Sequence, residues 1–304
     1  MKNKINLEEL AKKCHYELVG DSTIEISDFC YATEGTPYSL AVAYSKKEIK
    51  TTRAKAVLTA PVVIATDKTL LYTDDPIEVA IAKLARILVS EGYYPDYSKF
   101  EKESQTAVFL GEGSTIGQNV WIGEDVWIGA GCTIEANVLL KSGTRIGNQV
   151  HIGSGSVIGA DSFFHYYEDG LQSFCGIGKV KIEDRVEIGC HTVIQRGTLS
   201  DTIIGQGSKL GNFIDIGHDV KIGRECKIVS QAGIAGQAEI GNYVQIFGQA
   251  GISNHVFVKD YATVMAKSGV TKDVEKGKTV SGMYARDHVE ELKNQAKLWK
   301  NGRL

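Results

Sequence analysis

Two histidines give this chain a place where chemistry could happen. His218 follows Ile216-Gly217 and precedes Asp219, while His255 follows Ile252-Ser253-Asn254. Imidazole is the side chain best suited to accept a proton near neutral pH, so two on one edge would mark a spot where a nucleophile loses its proton. Metal binding is the rival use. It asks for about three ligands, commonly with two His close together, and the His at 15, 151, 165, 191, 218, 255 and 288 include no such pair. The six Cys (14, 30, 132, 175, 190, 226) form no CxxC spacing. Reduced thiols, a cytoplasmic setting and no metal site are the expectation.

What must carry the two imidazoles to one edge is a repeat. An aliphatic residue returns every sixth position at Leu110, Ile116, Ile122, Ile128, Ile134, Leu140, Ile146, Ile152 and Ile158, usually followed by Gly. Six fits neither a helix nor an alternating strand. It is the period of a hexapeptide β-helix, in which three hexads close one triangular coil, with the small residue easing a tight corner. The beat is lost over 162–175, returns at Ile182, Ile188 and Ile194, and breaks again over Arg196 to Asp201. It then holds from Ile204 through Ile216, Ile234, Ile252 and Val264 to Val270. Ile216 and Ile252 stand 36 positions apart, two full coils. At roughly 4.8 Å per coil, about 10 Å would separate their histidines along one side of the prism.

Residues 1–104 lack the six-residue beat and read as a small α/β domain. Asn6 with Glu9 suggests a capping box, opening a helix with Leu7, Leu10, Ala11 and Cys14 on one face. Ala54–Thr59 and Val62–Thr66 look like strands around Pro61. Asp75 as N-cap and Pro76 as first helical residue start a second helix, with the stripe Ile77, Ile81, Leu84, Ile87 and Leu88. Gly92–Glu103 reads as a linker, 105–275 as the β-helix with a protruding loop at 162–175, and 276–304 as a tail. Within that tail, Asp287–Lys300 is an amphipathic helix that should dock on the prism or a neighbouring subunit. The formal charge of -3, from 34 basic and 37 acidic residues, gives no basic stripe for nucleic acid. No apolar run reads as a signal peptide or is long enough to span a bilayer. Regular prisms offer no deep pocket, so sites are expected in grooves between copies, commonly in a homotrimer.

The His-bearing segments also carry a resemblance. The motifs are Val157-Ile-Gly-Ala-Asp161, Ile182-Glu-Asp-Arg-Val-Glu-Ile-Gly189, Arg196-Gly197, Asp201-Thr-Ile-Ile-Gly205 and Ile216-Gly-His-Asp-Val-Lys-Ile-Gly223. They continue with Ala235-Gly236, Ile240-Gly-Asn-Tyr243 and Asn254-His255. In this order the chain resembles the UDP-3-O-acylglucosamine N-acyltransferases of lipid A assembly (LpxD), over nearly its whole length. The resemblance implies a left-handed coil. It puts His218 on the catalytic base, Gly236 on the residue whose backbone N–H meets a thioester oxyanion, His255 on the second site histidine and Asn212 in the acyl-donor site.

Three departures colour that implication. Segment 41–47 lacks the family's aromatic, Asn and Tyr for uridine, leaving Tyr44 to contact a nucleobase. The family's Asp-Asn-Gln triplet reads Gly211-Asn212-Phe213, with Asp215 nearby as the donor-site acid. The C-terminal helix that engages acyl carrier protein is short. Together they point to a branch that acylates dTDP-linked amino sugars with 3-hydroxyacyl groups from coenzyme A, for surface glycans. The lipid A reaction, with acyl carrier protein as donor, is the alternative. Neither needs a permanently bound cofactor. From other classes, a metal-dependent hydratase and a non-catalytic solenoid are the rivals.

Overall fold

A computed structural model describes residues 4–97, 108–282 and 288–300. From Val108 to Val280 the chain winds as a parallel solenoid whose short strands stack into three sheets. The first face runs from Val108–Leu110 to Phe257–Val258, the second from Thr115–Ile116 to Thr279–Val280, and the third from Trp121–Ile122 to Gly269–Val270. Each hexad supplies one strand, and its aliphatic residue points inward. Ile216, Ile234 and Ile252 lie in register on the third face and are buried, like their counterparts on the other two. Parallel strands joined by corners leave all three inner columns dry.

The corners divide their work differently from the sequence reading. The left-handed backbone falls on the third residue after the aliphatic one, as at Asp219 (φ 60°), Gln237 (φ 61°) and His255 (φ 58°), and side-chain-bearing residues fill it more often than Gly does, Gly131 and Gly207 being among the exceptions. The Gly directly after the aliphatic residue does another job. A Cβ on Gly217 would stand 2.6 Å from the backbone nitrogen of Gly236 in the next coil, so this residue permits close stacking rather than a strained turn. Corner Asn and Asp side chains stitch coils together: Asn148 Oδ1 accepts from Ala130 N (2.9 Å) and Asp184 Oδ1 from Asn148 N (2.7 Å).

Residues 4–97 form a five-stranded sheet in the order Glu17–Val19, Thr69–Tyr72, Ala56–Thr59, Ser39–Val42, Asp28–Tyr31, antiparallel at the first pair and parallel thereafter. Helices α1 (Leu7–Cys14) and α3 (Ile77–Ser90) pack on one side, and α2 (Lys46–Thr51) on the other. Asn6 Oδ1 caps α1, accepting from Glu8 N and Glu9 N, whereas Glu9 pairs with Lys13 instead of closing the box. Asp75 is not the cap of α3: Pro76 holds that position, and the Asp75 carboxylate bonds Tyr16 Oη and Lys83 Nζ. Val62–Thr66 is not a strand. Val62 and Ile64 pack on the sheet from a connecting segment, and the strand is Thr69–Tyr72.

The loop expected to protrude is a β-hairpin, Phe164–Tyr167 paired with Leu171–Phe174. Its Phe164, Tyr166 and Phe174, with Ile177 and Leu199, join the core of the N-terminal unit that Ile81, Leu84 and Leu88 of α3 help to form. The proposed boundary near 104 therefore divides the sequence but not the core. Of the expected linker, Tyr94 and Tyr97 are packed in, and 98–103 lie outside the described residues. The solenoid continues past 275 to Thr279–Val280. The last helix, α4, spans His288–Lys300, Asp287 lying outside the described residues, and its Val289 and Leu292 are exposed on the single chain rather than packed on its own prism.

Replacing the buried Ile188 by Ala should cost about 2–5 kcal/mol, whereas Val63→Ala, 93% exposed, should stay within about 0.5 kcal/mol. Denaturant unfolding followed by circular dichroism measures both.

Candidate active site

The repeat is interrupted twice, both times at the edge where the third face turns into the first. Pairing of Val157 with Val193 and of Arg145 with Lys181 skips the hairpin insertion, and pairing of Lys181 with Ile203 skips the smaller insertion at 196–201. The next coils at this edge carry residues 217–219, then 235–237, then 253–255. His218 thus sits directly above both irregularities. His255 is two coils on but one corner position later, stacked over Gln237 and Asp219 rather than over His218 and Gly236.

The Nδ1 side of His218 is fixed. Asp219 Oδ2 lies 2.8 Å from Nδ1, and the Asp219 side chain is 1% exposed. Its carboxylate also accepts from three backbone amides of the insertion: Thr198 N (3.0 Å), Leu199 N (3.2 Å) and Ser200 N (2.9 Å). Surrounded by donors, it acts only as acceptor, so Nδ1 carries the ring proton and Nε2 keeps its lone pair. Phe164 of the hairpin meets the ring edge-on at 6.2 Å. Nε2 lies over Gly236, where a Cβ would come within 2.5 Å of it. Among the described residues, no protein acceptor takes the Gly236 N–H.

Two recesses flank this ridge. One opens on the third face and is lined by Phe163, Gln195, Asp215, His218 and Gly236. Asp215 points outward there, and the recess walls push its carboxyl above the ordinary range by desolvation, against a lowering bond from Gln195. Beyond it the outward positions are Gly233, Gly251 and Gly269, each with open space where a side chain would stand, so bare backbone forms a trough. The other recess lies between the prism and the N-terminal unit, lined by Tyr31, Tyr44, Asp219, Lys221, Gln237 and His255, with Glu34, Glu48 and Glu239. Tyr44 meets His255 edge-on at 6.4 Å, and burial pushes its phenol well up. Glu34 pairs with Lys221 across the domains at 3.3 Å; desolvation still raises its carboxyl, the ammonium pulling the other way.

Of the residues singled out in the sequence, His218, Gly236 and Asp215 share one recess, and His255 and Tyr44 share the other. Asn212 joins neither. It sits at the corner between the second and third faces, where its Oδ1 accepts from Cys190 N at 2.8 Å, the same stitch as at Asn148. Sequence reasoning missed Asp219, Thr198, Gln195, Phe163 and the acidic wall of the second recess. The break at Arg196–Asp201 was the available signal for Thr198. Among the described residues, no three His, Cys, Asp or Glu side chains converge as a metal site requires, and no helix is long and apolar enough to cross a membrane.

Residues 125–160 and 201–236 match the bacterial transferase hexapeptide, six repeats. A UDP-N-acetylglucosamine O-acyltransferase of Moraxella catarrhalis superimposes with a TM-score of 0.54 at 24% identity, covering 64% of this chain and 80% of its own. The two share the left-handed parallel β-helix. In sequence, a UDP-3-O-acylglucosamine N-acyltransferase of Rickettsia prowazekii is 54% identical over 129 residues, 42% of this chain and 37% of that protein. A Rhizobium meliloti protein of the same name is 44% identical over 84 residues, 27% of this chain and 24% of its own. The alignments thus span between about a quarter and somewhat over a third of these relatives' length.

Gly236→Ala should push the imidazole off its seat. We expect changed His218 ring resonances in NMR spectra and a melting temperature lower by roughly 2–4 °C per kcal/mol lost; an unmoved ring would show that Gly236 does not hold it in place.

Proposed function

We propose that this protein is an N-acyltransferase that moves an acyl group from a thioester to the amine of a nucleotide-linked amino sugar. The observation that carries this reading is the pair of recesses back to back, with a fixed imidazole and a free backbone N–H on the ridge between them. The acyl donor takes the trough on the third face, and the acceptor enters from the side of the N-terminal unit. The amine nitrogen attacks the thioester carbonyl, forming C–N, and its proton goes to His218 Nε2. The Gly236 N–H stabilises the oxyanion that develops. The tetrahedral adduct then breaks C–S, and the thiolate leaves with the proton held by the imidazole. Asp219 keeps the tautomer that makes Nε2 the base, and holding both substrates on one ridge supplies much of the acceleration.

Glu34, Glu48 and Glu239 face a single ammonium, Lys221, in the acceptor recess. The sugar and base, rather than the diphosphate, therefore belong inside it, with Tyr44 against the base and His255 on a sugar hydroxyl. The names of the partial relatives support a UDP-linked acylglucosamine, the lipid A-type acceptor, over the dTDP-linked acceptor suggested by the departures in 41–47. The donor is 3-hydroxyacyl coenzyme A or acyl carrier protein. A homotrimer, in which a neighbouring copy walls the open trough, completes the reading; light scattering would then give three chains of 33.1 kDa.

His218→Ala should lower turnover about 100-fold or more with the oligomer intact, and Tyr44→Ala should raise KM for the acceptor with little change in kcat. Assays pairing UDP- and dTDP-amino sugars with acyl-CoA and acyl carrier protein would identify the substrates. Full activity in His218→Ala would overturn the mechanism.

A further inference from the structure

The sequence resemblance attaches no role to Thr198, yet this fully buried residue touches the imidazole from the side opposite the reaction. We propose that Thr198 is a positioning residue for His218, holding the ring through its hydroxyl while its backbone holds the ring's carboxylate partner. The inference rests on His218 being the base. Thr198 Oγ1 lies 3.1 Å from His218 Nδ1 and 2.6 Å from Ser162 Oγ, and Thr198 N donates to Asp219 Oδ2. Because Nδ1 carries the only ring proton on this side, that proton is shared between Asp219 Oδ2 and Thr198 Oγ1. The Thr198 hydroxyl proton is then left for Ser162 Oγ. One residue thereby ties both interruptions of the repeat to the ring on its regular corner at 217–219: the hairpin insertion at Ser162 and the insertion at 196–201. Behind it stands Tyr31 of the N-terminal unit, whose phenol burial holds well above its ordinary range.

The consequence concerns the charged state. When Nε2 accepts the amine proton, the positive charge spreads to Nδ1–H, and two oxygens share the load instead of one. Charge-assisted bonds of this kind are the strong ones, so Thr198 strengthens the base at the moment it works. The titratable and charged groups around it are Asp219 on the same corner, Asp215 in the donor recess, and Tyr31, Glu34, Tyr44, Glu48, Lys221, Glu239 and His255 in the acceptor recess.

The test compares Thr198→Val, which keeps the shape and removes the hydroxyl, with Thr198→Ser, which restores it, in the full chain. Two quantities are read: the NMR titration midpoint of the His218 ring, which needs no substrate, and the pH profile of kcat/KM for N-acylation. In Thr198→Val the midpoint and the acidic limb should both move down by about one pH unit. kcat/KM should fall about tenfold, the worth of one hydrogen bond, mainly through kcat. Thr198→Ser should recover most of each change at an unchanged melting temperature. A Val variant with the midpoint of the parent, or a Ser variant displaced as far as Val, overturns the inference and reduces Thr198 to packing. Loss of the function reading is separable, because it would appear as full activity in His218→Ala whatever the ring titration does at 198.

Discussion

A single carboxylate organises the candidate site. Asp219 is almost wholly enclosed, and an enclosed carboxylate is tolerable only when donors surround it. Three amides of the 196–201 insertion and the His218 ring meet that need. Without the carboxylate, three amides of the insertion would lose their acceptor and the imidazole the partner that sets its tautomer. Asp219 N in turn donates to Thr202 Oγ1, so the strand that leaves the insertion is tied to the same residue. Pre-organisation of this kind lets a base act without rearranging its surroundings at the moment of reaction.

The solenoid was legible because its physics is periodic. Each hexad repeats one decision, an aliphatic residue inward and a small residue against the next coil, and a sequence written in sixes shows it directly. The count of coils between Ile216 and Ile252 was legible for the same reason. The one-position offset was there too, His218 standing two residues after Ile216 and His255 three after Ile252; what counting could not give was that the offset puts them in adjoining recesses rather than side by side. Asn212, which the resemblance assigned to the donor site, has its side-chain oxygen on a backbone amide of the coil below, a contact that no count of hexads reveals.

The site's remaining parts come from places where the period fails. Phe163, Ser162 and Thr198 belong to the two insertions, and nothing in their local sequence says which edge they will reach. That information is held in pairing across insertions, Val157 with Val193 and Lys181 with Ile203. The N-terminal unit misled in a related way. Val62–Thr66 has strand-like composition, but the sheet takes Thr69–Tyr72, whose partners lie on both sides at Glu17–Val19 and Ala56–Thr59. Tertiary pairing decided between two plausible segments.

The hairpin at 164–174 has a consequence for how the molecule is made. Phe164, Tyr166, Phe174, Ile177 and Leu199 complete an apolar core whose members from the first unit are synthesised long before them. A ribosome extending the chain from its amino end therefore releases the first unit with the surface of α3 that meets the hairpin still uncovered, and that surface stays wet until Leu199 emerges. The solenoid must wind past this point before the earlier unit can close. Splitting the gene at the apparent junction would strand greasy surface on both fragments, so the two units are bound to be inherited, expressed and folded as one.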